Sequence, residues 1–264
     1  MYPTLFHIGS FRVDTYSVIW FIALSLCILW SIRRLNLYGL DEYESRRVMA
    51  VSFFFMLLGA KSFGYIADWD SYMSNPSLFL DINRGGVHEF GAISGAFLSA
   101  MFMCCVYPRK VSFSKLCDTV APAAMLAITI GRWGCFLNGC CVGLPTKFFM
   151  AVHFPFDKPE IFRHPVQIYY SVIALVIVLI LLWVERRVIP IQCRQKKYYS
   201  VVTPLAVILY SLMRIAIVPV RDYYPLIHMM KYALTYRGIL IALPFMCVWL
   251  VYSLIQLKSL SQHK

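Results

Sequence analysis

Seven long runs of apolar residues alternate with short polar segments along this chain. They cover approximately residues 17–32, 48–66, 87–107, 115–137, 166–184, 200–220 and 238–257. Each run approaches the roughly 20 residues that a helix needs to cross the hydrocarbon core of a bilayer. Glu89 and Arg214 interrupt the third and sixth runs, where polar side chains that face the inside of a helical bundle belong. The pattern predicts an all-α integral membrane protein with about seven transmembrane helices.

Composition supports this class and favours a single folding unit. The chain has 264 residues, of which 60% are hydrophobic and 14% are charged, whereas a soluble domain carries about 25% charged residues. No repeat of fixed period and no Ser/Gly-rich linker divides the sequence. We therefore expect one polytopic membrane domain over residues 1–264. Its longest segment outside the predicted helices, residues 138–165, is expected to form a small head, in which KFFMAVHFP is compatible with a strand or a surface-lying element.

The distribution of basic residues predicts the orientation in the membrane. Lys and Arg are concentrated after the first, third and fifth runs, at Arg33, Arg34, Arg46, Arg47, Arg109, Lys110, Lys115, Arg186, Arg187, Arg194, Lys196 and Lys197. Because short basic loops stay in the cytoplasm, we expect these loops and the C-terminus to be cytoplasmic, and the N-terminus and the 138–165 head to lie outside. The N-terminus lacks the basic and cleavage-site features of a removable signal peptide. The net charge of +12 fits an anionic inner leaflet and no nucleic-acid partner is expected.

The segment GRWGCFLNGCCVGLPT (131–146) places Arg132 at the outer end of the fourth predicted helix. A charge close to hydrocarbon is costly, so Arg132 is expected to face a wet interior and a polar partner. A guanidinium offers two parallel donors to a phosphate, and Asn138 can add another donor. The glycines predict a tight helix end. Alternatively, they only permit close helix packing while Arg132 snorkels to the interface.

Arg214 and Arg221 form a second candidate pair. They are seven residues apart, so on a continuous helix they share nearly one face and can line one anion pathway. Snorkelling is the alternative, and it suits Arg221 better than Arg214 because Arg214 has apolar neighbours on both sides.

The segment GGVHEFGAISG (85–95) offers candidate proton-transfer groups. His88 can exchange a proton near neutral pH, and a partly desolvated Glu89 can act as a base. Alternatively, both residues lie at a helix start, where the helix dipole favours Glu89. The pair is not a zinc motif, because no second histidine follows at the required spacing.

Three cysteines and one tyrosine complete the set of candidates. Cys135, Cys140 and Cys141 have a CxxxxCC spacing that is neither a zinc ribbon nor a CxxC redox motif, which favours packing or a structural disulfide. The segment RHPVQIYY (163–170) introduces the fifth helix, where Tyr170 is expected to be an interfacial anchor.

These motifs, in this order, resemble the prolipoprotein diacylglyceryl transferases of the bacterial inner membrane. GRWGCFLNGCCVGLPT is similar to the family pattern GRxGNFxNGExxGxPT, HPVQIYY to HPxQLYE, and MRIAIVPVRDYY (213–224) to the later R-xxx-E-xx-R segment. LLGAKSFGYIADW, SNPSLFLDINRGG and GGVHEFGAISG are similar to the family's second helix, outer loop and GG-xxx-HGG segment. The resemblance implies a seven-helix bundle that moves diacylglycerol from phosphatidylglycerol to the lipobox cysteine thiol of a prolipoprotein, without metal or cofactor.

The resemblance also implies roles for individual residues. Arg132 and Arg214 would hold the lipid phosphate and stabilise the charge that develops on the glycerol-phosphate leaving group. The predicted substrate-binding residues around them are Tyr16, Asn138, Gly143, Gln167 and Arg221. His88 and Glu89 complete the predicted catalytic set as candidate bases, although neither occupies the position of the family's histidine.

Several polar residues of the family pattern are replaced in this chain. The family's histidine falls on Phe90, its asparagine on Cys135, and its glutamates on Cys140, Tyr170 and Val218. Retained arginines with altered partners indicate that binding of an anionic lipid is kept while the acceptor or the chemistry has changed. The alternatives are a transferase of the same fold with a different acceptor, or a noncatalytic lipid-binding protein or transporter.

Overall fold

A computed structural model describes residues 2–8, 11–67, 69–77, 89–107, 112–192, 198–222 and 227–262. The helices are α1 Thr15–Leu37, α2 Glu42–Ala67, α3 Trp69–Ser74, α4 Glu89–Val106, α5 Phe113–Asn138, α6 Val166–Gln192, α7 Val202–Ile217 and α8 Ile227–Gln262. Each of the seven predicted apolar runs coincides with one of the long helices, and α3 is an additional short helix.

The all-α membrane class is confirmed. Among the described residues, six helices are long and apolar enough to cross a membrane, namely α1, α2, α5, α6, α7 with its extension to Val220, and α8. The third predicted span corresponds to α4, whose described apolar part, Gly91–Val106, is shorter.

Two small hairpins accompany the helices. Strand β1 (Thr4–Ile8) pairs antiparallel with β2 (Phe11–Asp14) immediately before α1, and the apolar pattern did not predict this hairpin. In the connection between α5 and α6, β3 (Val152–His153) pairs with β4 (Phe162–Arg163). We call this connection, residues 139–165, the head. Of the two alternatives for KFFMAVHFP, the strand is therefore observed, over two residues.

Helix α5 lies between two apolar clusters. One cluster joins α5 to α6 and α7, and includes Met125, Val178, Leu181 and Met213. The other joins α5 to α1, α2 and α4, and includes Leu35, Val48, Met103 and Leu116. The residues at the end of α5 are consequently held by neighbours on several sides, which positions the candidate site.

Glycines allow α2 and α4 to pack with their backbones in close approach. A Cβ atom on Gly59 would lie 2.3 Å from the carbonyl oxygen of Gly91, and one on Gly95 would lie 2.2 Å from the carbonyl oxygen of Phe55. Small residues at such positions are the usual means of close contact between membrane helices.

Arg34 forms a buried ion pair at the end of the bundle away from the head. Its Nη1 and Nη2 atoms each donate to one carboxylate oxygen of Glu185 at 2.6 Å, and the side chain is only 5% exposed. The sequence pattern placed Arg34 among the loop charges that set orientation. The structure instead shows that it joins α1 to α6, because a buried charge needs a hydrogen-bonded partner of opposite sign.

Asp118 of α5 caps the start of α7. Its carboxylate accepts hydrogen bonds from the backbone amides of Val201 and Thr203 at 3.1 and 2.8 Å, and also from the hydroxyls of Ser200 and Thr203. The first amides of a helix have no partner within the helix. A carboxylate from a neighbouring helix supplies one here and ties α5 to α7.

Candidate active site

Helix α5 ends sharply at the predicted place. Gly139, the residue after Asn138, has a φ of 72°, and its amide donates to the carbonyl of Phe136 at 3.1 Å. A glycine in the left-handed region is a common way to end a helix because it has no Cβ to clash. The tight helix end predicted next to Arg132 is confirmed.

Two other glycines of the motif serve helix packing. A Cβ on Gly131 would lie 2.6 Å from the ring of Trp20, and one on Gly134 would lie 3.3 Å from Cβ of Ile19. The close-packing alternative therefore holds for these two positions. The contact brings the first turns of α1 against the end of α5 and places the Tyr16 phenol within electrostatic reach of Arg132.

Three arginines surround the ring of Tyr170. The Cζ atom of Arg132 lies 4.3 Å from the ring centroid, and those of Arg214 and Arg221 each lie 5.7 Å from it. All three are within the roughly 6 Å range of a cation–π contact. The structure therefore brings the arginines of α5, α7 and the segment after α7 to one point, at the end of α5 where the head begins.

The prediction that Tyr170 is an interfacial anchor is wrong. The side chain is 1% exposed and belongs to the apolar cluster of α5, α6 and α7. Its neighbour Tyr169 is less buried, and its hydroxyl lies 3.2 Å from Nδ1 of His164. Successive side chains of a helix point about 100° apart around its axis, so the two adjacent tyrosines have different surroundings.

Arg221 reaches the ring by a route that the sequence pattern did not predict. Helix α7 ends at Ile217 and is followed by a 3-10 turn, Val218–Val220, after which Arg221 is extended, with φ −88° and ψ 136°. The expectation of one continuous helical face for Arg214 and Arg221 is wrong, since Pro219 lacks the amide proton that an α-helix requires. Nη1 of Arg221 nevertheless lies 3.4 Å from the Tyr170 hydroxyl.

The head is tied to the segment that carries Arg221. Gly143 forms a bridge with Arg221, the amide of Leu144 donates to Val220 at 2.8 Å, and that of Asp222 donates to Val142 at 3.1 Å. A Cβ on Gly143 would lie 2.6 Å from the carbonyl oxygen of His164. Gly143 thus lies beside Arg221, and its lack of a side chain lets the head pack closely there.

An ion-pair network holds the same contact. Arg163 donates from Nη1 to Asp222 at 2.6 Å, and from Nε and Nη2 to the two carboxylate oxygens of Asp157 at 2.7 and 2.9 Å. Hydrogen bonds to Asp157, with a smaller contribution from Asp222, raise the pKa of Arg163. The guanidinium joins the head to the residue next to Arg221.

The remaining predicted residues are Gln167, Asn138, His88 and Glu89. Gln167 is 1% exposed and donates from Nε2 to the carbonyl of Cys140 at 2.6 Å, and Asn138 is the last residue of α5. Both therefore lie at the turn that follows α5. His88 lies outside the described residues, and Glu89 begins α4 but its side chain is not among those described.

Comparison with known proteins decides the family. The chain matches the family model described as prolipoprotein diacylglyceryl transferase over residues 3–255. It belongs to the prolipoprotein diacylglyceryl transferase family. The resemblance stated from the motifs is confirmed. In this member of the transferase family the guanidinium carbons of Arg132, Arg214 and Arg221 all lie within 5.7 Å of the centre of the Tyr170 ring.

Bacterial relatives match most of the chain. A phosphatidylglycerol–prolipoprotein diacylglyceryl transferase of Clostridium tetani is 31% identical over 190 residues, which are 71% of this chain and 75% of the relative. The protein of that name from Clostridium novyi is 31% identical over 193 residues, 71% and 74% of the two chains. The Pseudomonas putida protein is 29% identical over 192 residues, 70% of each chain.

The cysteines of this transferase-family member form a cluster that spacing alone did not reveal. The Sγ atoms of Cys135, Cys140 and Cys141 all lie within 4.8 Å of one another, and all three are free thiols. Hydrogen bonds with Cys135 and Cys140, together with the positive charges of Arg221 and Arg132, hold the pKa of the Cys141 thiol well below its usual range, against the effect of burial. The only signal in the sequence was the presence of three cysteines around a predicted helix end.

Proposed function

We propose that this chain transfers a diacylglyceryl group from phosphatidylglycerol to the lipobox cysteine thiol of a prolipoprotein. The observation that carries the proposal is the convergence of Arg132, Arg214 and Arg221 on one buried ring in a chain of the transferase family. Tyr16, Asn138, Gly143 and Gln167 lie beside Arg132, Arg221 or the turn after α5, which supports their assignment as substrate-binding residues.

The proposed reaction is a displacement at a glycerol carbon. The acceptor sulfur forms a C–S bond to the diacylglyceryl carbon, the C–O bond to the phosphate breaks, glycerol phosphate leaves with the bonding electron pair, and the thiol proton passes to a base. His88 and Glu89 remain the candidate bases. Arg132 and Arg214 are the proposed catalytic residues that hold the phosphate and stabilise the charge gained by its oxygen.

The arrangement of the arginines suits this role. A guanidinium can donate two parallel hydrogen bonds to a phosphate, and donors that are already in place need no reorganisation when charge develops in the transition state. Tyr170 helps to orient the three groups through its ring face, and an aromatic ring carries no formal charge that would cancel theirs. Removal of one such preorganised donor typically costs about 2.7–4 kcal/mol of activation free energy.

We further propose that the protein lies in the bacterial inner membrane as one polytopic domain, with the N-terminus and the head outside and the C-terminus in the cytoplasm. The excess of Lys and Arg in the loops after the first, third and fifth apolar runs supports this orientation. Phospholipid would then enter laterally at the head end of the bundle, where the arginines lie. Accessibility of a cysteine-reactive label at Phe149→Cys, 85% exposed in the head, tests the orientation, because only an outer head is labelled in intact spheroplasts by an impermeant reagent.

The transfer itself is tested with Arg132→Ala and Arg132→Lys in vesicles that contain phosphatidylglycerol and a lipobox peptide. We expect Arg132→Ala to abolish transfer while the protein stays folded, and Arg132→Lys to recover little, because an ammonium lacks the planar fork. Arg46→Ala is the matched control, since Arg46 is exposed and pairs with Glu42 one turn away. Unchanged turnover of Arg132→Ala would reject the proposed phosphate clamp.

A second candidate function is transfer to a different acceptor, such as a sugar or another alcohol. It is favoured by the replacement of three family polar residues by Cys135, Cys140 and Tyr170, all of which lie at the arginine site in this structure. Analysis of lipid products with and without the lipobox peptide distinguishes the two acceptors. Stoichiometric retention of lipid without any product would instead identify a noncatalytic lipid-binding protein or transporter.

A further inference from the structure

The cysteine cluster at the end of α5 has a geometry that packing alone does not require. Cys135 lies in the last turn of the helix, whereas Cys140 and Cys141 follow Gly139 in the reversing turn. All three sulfur atoms point to one another, with no pair separated by more than 4.8 Å. A disulfide would use only two of these sulfurs, so the convergence of the third calls for a different explanation.

The turn that creates the cluster is held from several directions. The amide of Cys140 donates to the carbonyl of Cys135 at 3.1 Å, and Gln167 of α6 donates to the carbonyl of Cys140 at 2.6 Å. Cys141 has a φ of 60°, a left-handed conformation that costs a residue with a Cβ roughly 1–2 kcal/mol. The surrounding contacts keep this conformation, which directs the Cys141 thiol toward the other two.

We propose that Cys135, Cys140 and Cys141 form a binding site for one soft, thiophilic metal ion of the d10 class, such as Zn(II), Cd(II) or Cu(I). An ion about 2.3 Å from each sulfur brings the sulfurs to roughly 4 Å from one another. The present separations, none above 4.8 Å, are close to that arrangement. Thiolate ligands select soft ions over Mg(II) and Ca(II), which prefer oxygen.

The charges around the cluster suit an occupied site. Three thiolates around a divalent ion carry one net negative charge, and Arg132 and Arg221 both act electrostatically on the Cys141 sulfur. Positive neighbours offset the net negative charge of such a complex. The site shares these arginines with the proposed lipid-phosphate site, but metal binding does not depend on the transfer reaction.

Metal binding is tested on the full-length protein in detergent, stripped with a chelator under anaerobic reducing conditions. Titration with Cd(II), followed by thiolate-to-metal charge-transfer absorption and elemental analysis, is expected to give one ion per chain. Each of Cys135→Ser, Cys140→Ser and Cys141→Ser should weaken binding by more than the roughly 10–100-fold typical of losing an outer-shell partner. Cys117→Ser, at the other end of the same helix, is the matched control and should bind normally.

A measurement on the wild-type protein removes the dependence on folding of the variants. X-ray absorption at the zinc edge of the Zn(II)-loaded protein is expected to show three sulfur neighbours. A shell with fewer than three sulfurs, or Cd(II) binding that survives in all three serine variants, would overturn the proposal. A disulfide between two of these cysteines would also overturn the proposal. Free thiols would be alkylated in intact membranes before purification, so that such a bond could not have formed afterwards. Wild-type protein that binds the metal ion as expected but transfers no diacylglyceryl group would reject only the proposed function.

Discussion

The guanidinium carbon of Arg132 lies 4.3 Å from the centre of the Tyr170 ring, although the two residues belong to different helices and only one of them is charged. Arg214 and Arg221 face the same ring at 5.7 Å. In the family pattern that the HPVQIYY segment resembles, this position is a glutamate. Here an uncharged ring lies within cation–π range of three guanidinium groups.

Replacement of Tyr170 should separate the contribution of the ring from that of its hydroxyl. We expect Tyr170→Phe to keep transfer activity close to wild type, because the ring face stays and only a 3.4 Å hydroxyl contact to Arg221 is lost. Tyr170→Leu should lower kcat/KM by about 10–100-fold, since desolvated cation–π contacts contribute roughly 1–2 kcal/mol each. Turnover in phosphatidylglycerol vesicles is the measurement, and equal loss in both variants would contradict the role of the ring.

Two glycines of α5 form a matched pair for the packing of α1. Gly131→Ala places a Cβ 2.6 Å from the Trp20 ring, whereas Gly134→Ala places one 3.3 Å from Ile19. Overpacking costs about 1–3 kcal/mol, so Gly131→Ala should lower the thermal unfolding temperature and, by shifting Tyr16, the rate of transfer. Gly134→Ala should change both little. The gain in helix propensity from Gly to Ala is the same at both positions and cancels in the comparison. Equal effects of the two substitutions would show that the Trp20 ring is not in close contact with Gly131 in solution.

Asp118→Asn tests the cap of α7. The substitution keeps the side-chain volume but replaces one carboxylate oxygen, an acceptor, with an NH2 group that can only donate. Donors would then face the amide donors of Val201 and Thr203. We expect a loss of about 3 kcal/mol in the free energy of unfolding, measured by denaturant titration in detergent. Asp70→Asn, at an exposed position in α3, is the control. Asp118 is about 20 Å along α5 from Arg132, so activity at low temperature should persist.

The pair Arg34 and Glu185 should show strong coupling. Arg34→Met alone leaves a buried carboxylate without its bidentate partner, because the two side chains are only 5% and 7% exposed, and should cost about 3–5 kcal/mol. The double variant Arg34→Met with Glu185→Leu should regain most of this stability, since no charge is left unpaired. A double variant as unstable as Arg34→Met would contradict the prediction.

The membrane class and the positions of all seven long helices follow from the linear pattern, because apolar run length alone decides whether a helix can cross a bilayer. The end of α5 at Asn138 was also predictable, since a glycine follows it. The same pattern missed the hairpin of β1 and β2 and the break after Ile217, because short strands and a single proline change the apolar content very little.

Contacts between residues that are far apart in the sequence could not be predicted from the linear pattern. Tyr169 and Tyr170 are identical in type, and only the rotation of α6 against α5 and α7 buries one of them among the arginines. The CxxxxCC spacing matched no metal motif, yet the left-handed turn at Gly139 and Cys141 brings its three sulfurs within 4.8 Å of one another.

By itself, the sequence determined the class of protein, the family motifs and the identity of the arginines, because these depend on local composition and on the spacing of residues along one chain. Tertiary structure decided that Arg132, Arg214 and Arg221 share Tyr170, that Arg34 is a bundle residue paired with Glu185, and that three cysteines meet. Such contacts depend on how helices rotate and pack against one another, and that arrangement results from the summed interactions of the whole bundle.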